Sequence, residues 1–284
     1  MMMAVAETAA GAGRHGLPSE TAQRAVTAIA LAAPAAAAII LGPPYLPVFV
    51  GAIVAVMAWE WVRVTGSTVF GATGATLAGF LIGAVALAAF GRFAWAYAIV
   101  LAAVPFVYAV ARAHARPHAL PIAAGALYIG VPALSLLWLY ARPEIGRALV
   151  IWLVCVVIAT DVAAYFAGRT LRGPKLAPRI SPGKTWSGLA GGIAGAVAVG
   201  VALGVALGLA HTMVLAGAAL VFALISQMGD LLESGLKRAF GVKDASGILP
   251  GHGGMMDRVD GIVAALVAAA LAIWIAGGDP RPWL

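Results

Sequence analysis

The stretch KDASGILPGHGGMMDRVDG, residues 243–261, places three aspartates, a lysine, an arginine and a histidine at the start of an apolar segment, 259–277. A helix that crosses a bilayer needs about 20 mostly apolar residues. Apolar segments of this length recur along the chain, which is 63% hydrophobic and only 10% charged. The pattern predicts an all-α, polytopic membrane protein and excludes a separate soluble domain, because no stretch between the segments is long enough to bury a core of its own.

The hydropathy pattern predicts about nine transmembrane helices. We expect residues 1–24 to form a flexible N-terminal tail and residues 25–284 to form a single integral-membrane domain. No cleaved signal peptide is expected, because the first apolar run leads into further spans. The predicted spans are 25–42, 45–62, 69–90, 94–111, 119–140, 148–168, 187–208, 212–233 and 259–277.

Two connections are long, 169–186 and 234–258, and they flank a pair of consecutive spans, so both lie on one side of the membrane. Placing them inside puts 14 of the 18 Lys and Arg residues inside and 4 outside. The positive-inside rule then predicts two cytoplasmic catalytic loops, a cytoplasmic N-terminus and a location in the inner (plasma) membrane. We attribute the net charge of +7 to topology and to anionic lipid or phosphate ligands, not to nucleic acid.

Acidic residues gather in or beside these two connections. A carboxylate at mid-membrane costs about 2.5–3.5 kcal/mol, and several carboxylates together repel one another unless cations intervene. Asp230, Glu233, Ser234 and Lys237 share one helical face. Six of the 11 acidic residues belong to the cluster: Asp161, Asp230, Glu233, Asp244, Asp257 and Asp260.

Structural roles stay open for several acids. Asp260 could cap the last helix, and Glu233 could pair with Lys237 four residues later. Glu60 could bond Arg63 or Arg112. Asp230 lies in the apolar run LISQMGDLLES without an obvious local partner, which favours a functional role for it.

The glycine-rich segment PGHGG, residues 250–254, can expose several backbone N–H groups as an anion-binding nest. Nearby lysines and arginines add positive charge for phosphate. Divalent ions such as Mg²⁺ take carboxylate and phosphate oxygens together. The residues therefore predict metal-dependent chemistry on a phosphorylated substrate at the inner membrane face.

The segment SGLKRAFGVKDASGILPGHGGMMDRVD, residues 234–260, resembles the signature of phosphatidate cytidylyltransferases, also called CDP-diacylglycerol synthases. Three more segments resemble parts of that family: SQMGD at 226–230, D..AYFAGR at 161–169 and APRISPGKTW at 177–186. The resemblance covers roughly the C-terminal 130 residues. One position departs from the family pattern S-P-x-K-T-x-E-G, since Ser187 stands where a glutamate is usual.

The resemblance implies that CTP and phosphatidic acid give CDP-diacylglycerol and pyrophosphate in phospholipid biosynthesis, with Mg²⁺ or another divalent cation, and it leaves open a second cation. The lipid phosphate is itself the nucleophile, so no Ser-His or Cys-His pair is needed. The implied metal ligands are Asp230 and Asp257, with Asp161 and Asp260 as further candidates. The implied catalytic residues are Lys237, Arg238, Lys243, Asp244, His252 and Arg258, and the implied substrate-binding residues are Ser181, Lys184, Ser234, Gly253 and Gly254.

Other functions remain as alternatives. A CDP-alcohol phosphotransferase would need a DG-x2-AR start and aspartates spaced by four, whereas Asp257 and Asp260 are spaced by three. A cation-coupled transporter would place its charges near mid-span instead of at one face. Ser187 keeps open a catalytically impaired relative with a scaffold role, and the sequence leaves open whether the chain forms a homo-oligomer.

Overall fold

A computed structural model describes residues 20–66, 69–209, 211–249 and 253–278. Within these ranges the chain forms nine helices and one small two-stranded sheet. The helices are α1 Glu20–Leu41, α2 Tyr45–Val64, α3 Gly71–Ala89, α4 Phe93–Ala113, α5 Ala119–Tyr140, α6 Gly146–Leu171, α7 Trp186–Ala206, α8 Thr212–Ala239 and α9 Met256–Ile275. The strands are β1 Lys175–Ala177 and β2 Ser181–Thr185, paired antiparallel.

Eight helices, α2 to α9, are long and apolar enough to cross a membrane. In α1 the apolar part among the described side chains is Ile29–Leu41. Each of the nine predicted spans overlaps one helix, so the all-α polytopic membrane fold is confirmed. The predicted tail falls mostly on residues outside the described ranges.

The apolar side chains form two cores. The first lies among α2, α3, α4 and α5 and includes Trp61, whose indole N–H donates to the carbonyl of Pro121 at 2.9 Å. The second lies among α6, α7, α8 and α9 and includes Trp152, whose indole N–H donates to the carbonyl of Gly200 at 2.7 Å. These buried donors find backbone acceptors on a neighbouring helix, as a buried indole requires.

Helices α6 and α7 pack closely because small residues face each other. A Cβ on Gly191 would lie 2.2 Å from the Cβ of Ala167, and one on Gly195 would lie 2.4 Å from the Cβ of Ala163. Lipid tails give little hydrophobic drive for helix association, so such close backbone approach is a main source of stability. The packing holds the end of α6 beside the start of α7.

The two long connections differ in detail from the sequence prediction. The predicted loop 169–186 contains the end of α6 and the β1–β2 hairpin, in which Ala177 pairs with Ser181. The predicted loop 234–258 is shorter, because α8 continues to Ala239 and α9 begins at Met256. As predicted, the two connections lie on one side, since Lys184 of the hairpin contacts α8.

Candidate functional site

A polar cavity of about 1030 Å³ lies where the ends of α6 and α8 meet the hairpin and the start of α9. Acidic and basic side chains share its walls. The lining acids are Asp161, Asp230, Asp244, Asp257 and Asp260. The lining bases are Arg169, Arg172, Lys175, Lys184, Lys237 and Arg258.

Asp230 joins α8 to the hairpin. Its Oδ2 lies 2.6 Å from the Nζ of Lys184, and its Oδ1 accepts a hydrogen bond from the hydroxyl of Ser234 at 3.3 Å. Lys184 Nζ also donates to the carbonyl of Gln227 at 3.3 Å. No charged partner of Asp230 was evident from the sequence, because Lys184 lies 46 positions earlier and reaches it only through the fold.

Asp257 is held more firmly than the sequence suggested. Its Oδ1 forms an ion pair with Lys237, and its Oδ2 accepts from the N–H groups of Ala245 at 3.0 Å and Gly254 at 2.7 Å. Lys237 also lies 3.5 Å from Oε1 of Glu233, as the spacing of four predicted. Asp257 thus fixes the loop before α9, and its role as a metal ligand stays a prediction.

Asp161 and Asp260 complete the acidic walls. Asp161 Oδ1 accepts from Nε2 of Gln227 at 3.1 Å, which ties α6 to α8. Asp260 Oδ1 accepts from the N–H of Gly261 at 2.8 Å. Helix α9 begins at Met256, whose N–H donates to Glu60, so the capping role considered for Asp260 is not seen among the described residues.

The cavity brings together nine of the predicted site residues: Ser181, Lys184, Lys237, Asp244, Arg258, Asp161, Asp230, Asp257 and Asp260. Five others do not line it: Arg238, Lys243, Ser234, Gly253 and Gly254. Arg238 and Lys243 are exposed, whereas Lys237 is buried. His252 lies outside the described residues.

The two glycines that were predicted to bind substrate each lie close to a carboxylate of the protein, and their role in substrate binding stays a prediction. Gly253 has a φ of +80°, which favours glycine, and a Cβ on it would lie 2.9 Å from Asp257 Oδ2. A Cβ on Gly254 would lie 2.6 Å from Oε1 of Glu60. Both glycines therefore let carboxylates approach the backbone closely.

Sequence reasoning left several lining residues out of the site. Arg169 donates to the hydroxyl of Tyr165 at 2.8 Å, on the last turns of α6. Arg172 and Lys175 follow at the end of α6 and the start of the hairpin, and their basic character was the available signal. At the position of the family glutamate, Ser187 donates to the carbonyl of Arg172.

An apolar cavity of about 560 Å³ adjoins the polar one and runs between α1, α2, α5, α6 and α9. Its walls are mostly aliphatic side chains and Met57. Three residues line both cavities: Asp161, Arg258 and Asp260. A molecule with a phosphate group and apolar chains would fit across this junction.

The donor set fits Mg²⁺. Within the described ranges no three His, Cys, Asp or Glu side chains form a ready-made metal cage. Mg²⁺ commonly uses only one or two carboxylates and takes its other ligands from water and substrate phosphates. Asp230 with Asp161 or Asp260 can supply such carboxylates beside the space that phosphates would occupy.

The sequence model of the cytidylyltransferase family matches residues 22–276. The phosphatidate cytidylyltransferase of Pseudomonas aeruginosa is 40% identical over 269 residues, which cover 90% of this chain and 97% of that protein. The Brucella suis protein of the same name is 47% identical over 143 residues, which cover 50% of this chain and 53% of the relative. The chain thus spans about half the length of the Brucella relative it matches and nearly all of the Pseudomonas one.

Proposed function

Since the chain belongs to the cytidylyltransferase family, we propose that it transfers the cytidylyl group of CTP to phosphatidic acid and releases pyrophosphate. The observation that carries the proposal is the junction of a polar and an apolar cavity at Asp161, Arg258 and Asp260. A hydrophilic nucleotide fits the first cavity, and the chains of a lipid fit the second. The reacting phosphates would meet at the junction.

The reaction needs little covalent help from the protein. A phosphate monoester has a second pKa near about 6, so the lipid phosphate is already largely a dianion at neutral pH. One of its oxygens attacks the α-phosphorus of CTP, the new P–O bond forms, and the bond from the α-phosphorus to the bridging oxygen breaks. Pyrophosphate leaves with that electron pair. Catalysis is then positioning and charge neutralisation.

The basic residues divide between the two substrates. Arg258 lines both cavities, so we assign it to the lipid phosphate. Lys175, Lys184 and Arg172 line only the polar cavity, and we assign them to the nucleotide phosphates. Lys184 already pairs with a carboxylate and would exchange it for phosphate when the nucleotide binds. When bound, Mg²⁺ would neutralise phosphate charge, held by Asp230 with Asp161 or Asp260.

The lipid chains contribute little to selectivity in this proposal. Moving an acyl chain from the bilayer into an apolar cavity exchanges one apolar environment for another, so the free energy changes little. Discrimination between phosphatidic acid and diacylglycerol therefore rests on the phosphate and on Arg258. This is why the phosphate-free lipid should fail as an acceptor.

We place the reaction at the cytoplasmic face of the inner membrane, with the N-terminus inside. Glu60 near the end of α2 contacts the residues that begin α9, so those helix ends share the membrane face of the cavity. Arg112 ends α4, which by alternation reaches the same face. The charge asymmetry of the sequence favours the cytoplasm for that face.

The test is formation of CDP-diacylglycerol by purified protein supplied with CTP, Mg²⁺ and either phosphatidic acid or diacylglycerol. We expect product only with phosphatidic acid, and loss of product in excess chelator. Arg258→Met should lower turnover at least tenfold, whereas the exposed control Arg112→Met should not. Folded protein that gives no product would favour the scaffold role, and turnover in chelator would remove the metal from the proposal.

A further inference from the structure

Glu60 is a fully buried carboxylate outside the polar cavity. It lies on α2, yet its hydrogen-bond partners are near the other end of the chain. Oε1 accepts from the hydroxyl of Ser246 at 2.5 Å and from the N–H of Met255 at 2.8 Å, and Oε2 accepts from the N–H of Met256 at 2.7 Å. The nearby basic residue Arg63 lies instead over the ring of Trp59 at 4.8 Å.

These contacts satisfy the start of α9. The first N–H groups of a helix have no acceptor inside the helix, and the helix dipole makes this end positive. Glu60 meets both requirements, since its two oxygens take successive N–H groups and its charge opposes the dipole. Neither Arg63 nor Arg112, the partners considered from sequence, is required to explain the buried charge.

The surrounding chain is shaped to admit this carboxylate. A Cβ on Gly254 would lie 2.6 Å from Glu60 Oε1 and 2.9 Å from the Cβ of Ala245. Glycine is therefore needed at this position for space. Met255 and Met256 are buried on either side of the contact, so water does not compete for the same N–H groups.

The contact is connected to the cavity through a single turn of chain. Asp257 and Arg258 follow Met256 directly, and both line the cavity. From the opposite side, Asp257 Oδ2 accepts the N–H groups of Ala245 and Gly254. The described residues of the connection between α8 and α9 are thus clamped between two carboxylates, Glu60 and Asp257.

We propose that Glu60 is a positioning residue that fixes the α8–α9 loop and the first turn of α9, and thereby the orientation of Arg258 and Asp257 toward substrate. It touches neither substrate. The proposal rests on the proposed transferase function for its kinetic consequence, although the clamp itself is a property of the fold. A displacement of about 1 Å at a reacting group can cost about 100-fold in rate.

Glu60→Gln is the decisive variant. An amide offers one acceptor oxygen, and its NH₂ group would face either Met255 N–H or Met256 N–H, donor against donor. We expect kcat to fall at least tenfold while KM for CTP and for phosphatidic acid changes less than threefold. The control is Gly125→Ala, whose Cβ would lie 2.4 Å from the ring of Trp61 and would strain the packing of α5 on α2.

Two outcomes of the comparison between Glu60→Gln and Gly125→Ala overturn the proposal. One is a normal kcat for Glu60→Gln per folded molecule. The other is the same ratio of kcat loss to loss of thermal midpoint in Gly125→Ala and in Glu60→Gln. Both kcat losses would then reflect general destabilisation. Gly254→Ala should lower kcat as Glu60→Gln does, and the double variant should lose no more than the worse single one. Independent, multiplying losses would also count against the clamp.

A readout without catalysis separates this proposal from the transferase function. Met255→Cys, in a background with Cys155→Ala, places a thiol at a buried position. The backbone N–H of this residue still bonds Glu60. Adding Glu60→Gln should raise the labelling rate of that thiol at least tenfold, and adding Gly125→Ala should not. If the protein shows no transfer at all, the proposed function fails, and the labelling rate alone tests whether Glu60 holds the start of α9. An unchanged labelling rate refutes it.

Discussion

Replacing Lys237 by methionine tests the charge arrangement at the base of the polar cavity. The methionine keeps most of the length of the lysine stem and removes only the charged amine. Lys237 pairs with Asp257 and lies 3.5 Å from Glu233, and the three side chains are 10%, 7% and 0% exposed. The variant would leave two buried carboxylates without their shared cation.

The magnitude follows from this burial. Removing one partner of a buried ion pair typically costs about 3–5 kcal/mol, because the remaining charge is uncompensated. Asp257 keeps two backbone N–H bonds, so we expect a value near the lower end, about 3 kcal/mol. Each kcal/mol shifts the midpoint of a chain of this size by roughly 2–4 °C, which gives a fall of about 6–12 °C.

The assay is thermal unfolding of the detergent-purified protein, followed by loss of the monodisperse peak. Arg238→Met is the matched control, because Arg238 is the next residue, exposed, and should change stability by about 0.5 kcal/mol or less. Adding Asp257→Asn to Lys237→Met should restore part of the midpoint, since one unpaired charge disappears. Equal midpoints for Lys237→Met and Arg238→Met would refute the reasoning.

Three further predictions address the metal, the topology and the packing. Asp230→Asn should shift the metal-free thermal midpoint little, because a partly exposed ion pair contributes about 1 kcal/mol or less. The variant should, however, show a smaller rise in midpoint than the unmodified protein when Mg²⁺ and CTP are added. An equal rise in both would remove this residue from the metal site. Gly173→Cys and Gly247→Cys, with the native cysteine replaced by alanine, should resist an impermeant thiol reagent in intact cells, and labelling from outside would reverse the orientation. Gly191→Leu should lower the midpoint by several degrees and Gly217→Leu should not, because a Cβ meets the facing helix within 2.2 Å only at the first position; equal midpoints would contradict the close packing of α6 on α7.

The helices were predictable because a segment that crosses a bilayer must be apolar and must satisfy its own backbone groups. Helix ends were less predictable. Helix α8 continues past the apolar run to Ala239, since its polar residues Asp230, Glu233 and Lys237 find charged partners within the protein. The β1–β2 hairpin gave no alternating pattern, and Lys184 anchors it to α8 by a contact 46 residues away in sequence.

The site was predictable where the signal was local or carried by the family signature. The spacing of four residues predicted the ion pair between Glu233 and Lys237, and the structure confirms it. The partner of Lys237 at Asp257 is 20 residues away, and the partners of Glu60 are up to 196 residues away. No periodicity connects such positions, so the sequence could show only that a buried carboxylate such as Glu60 must have partners, not which ones.

The measurement that tests the central claim most directly uses CTP labelled either at the α-phosphate or at the γ-phosphate, with purified protein, phosphatidic acid and Mg²⁺. Cytidylyl transfer predicts that the α-label enters the lipid phase and that the γ-label appears as soluble pyrophosphate in equal amount. The γ-label in the lipid would mean phosphoryl transfer instead. Neither label moving, with the protein folded and CTP bound, would contradict the account of the polar cavity as a transferase site.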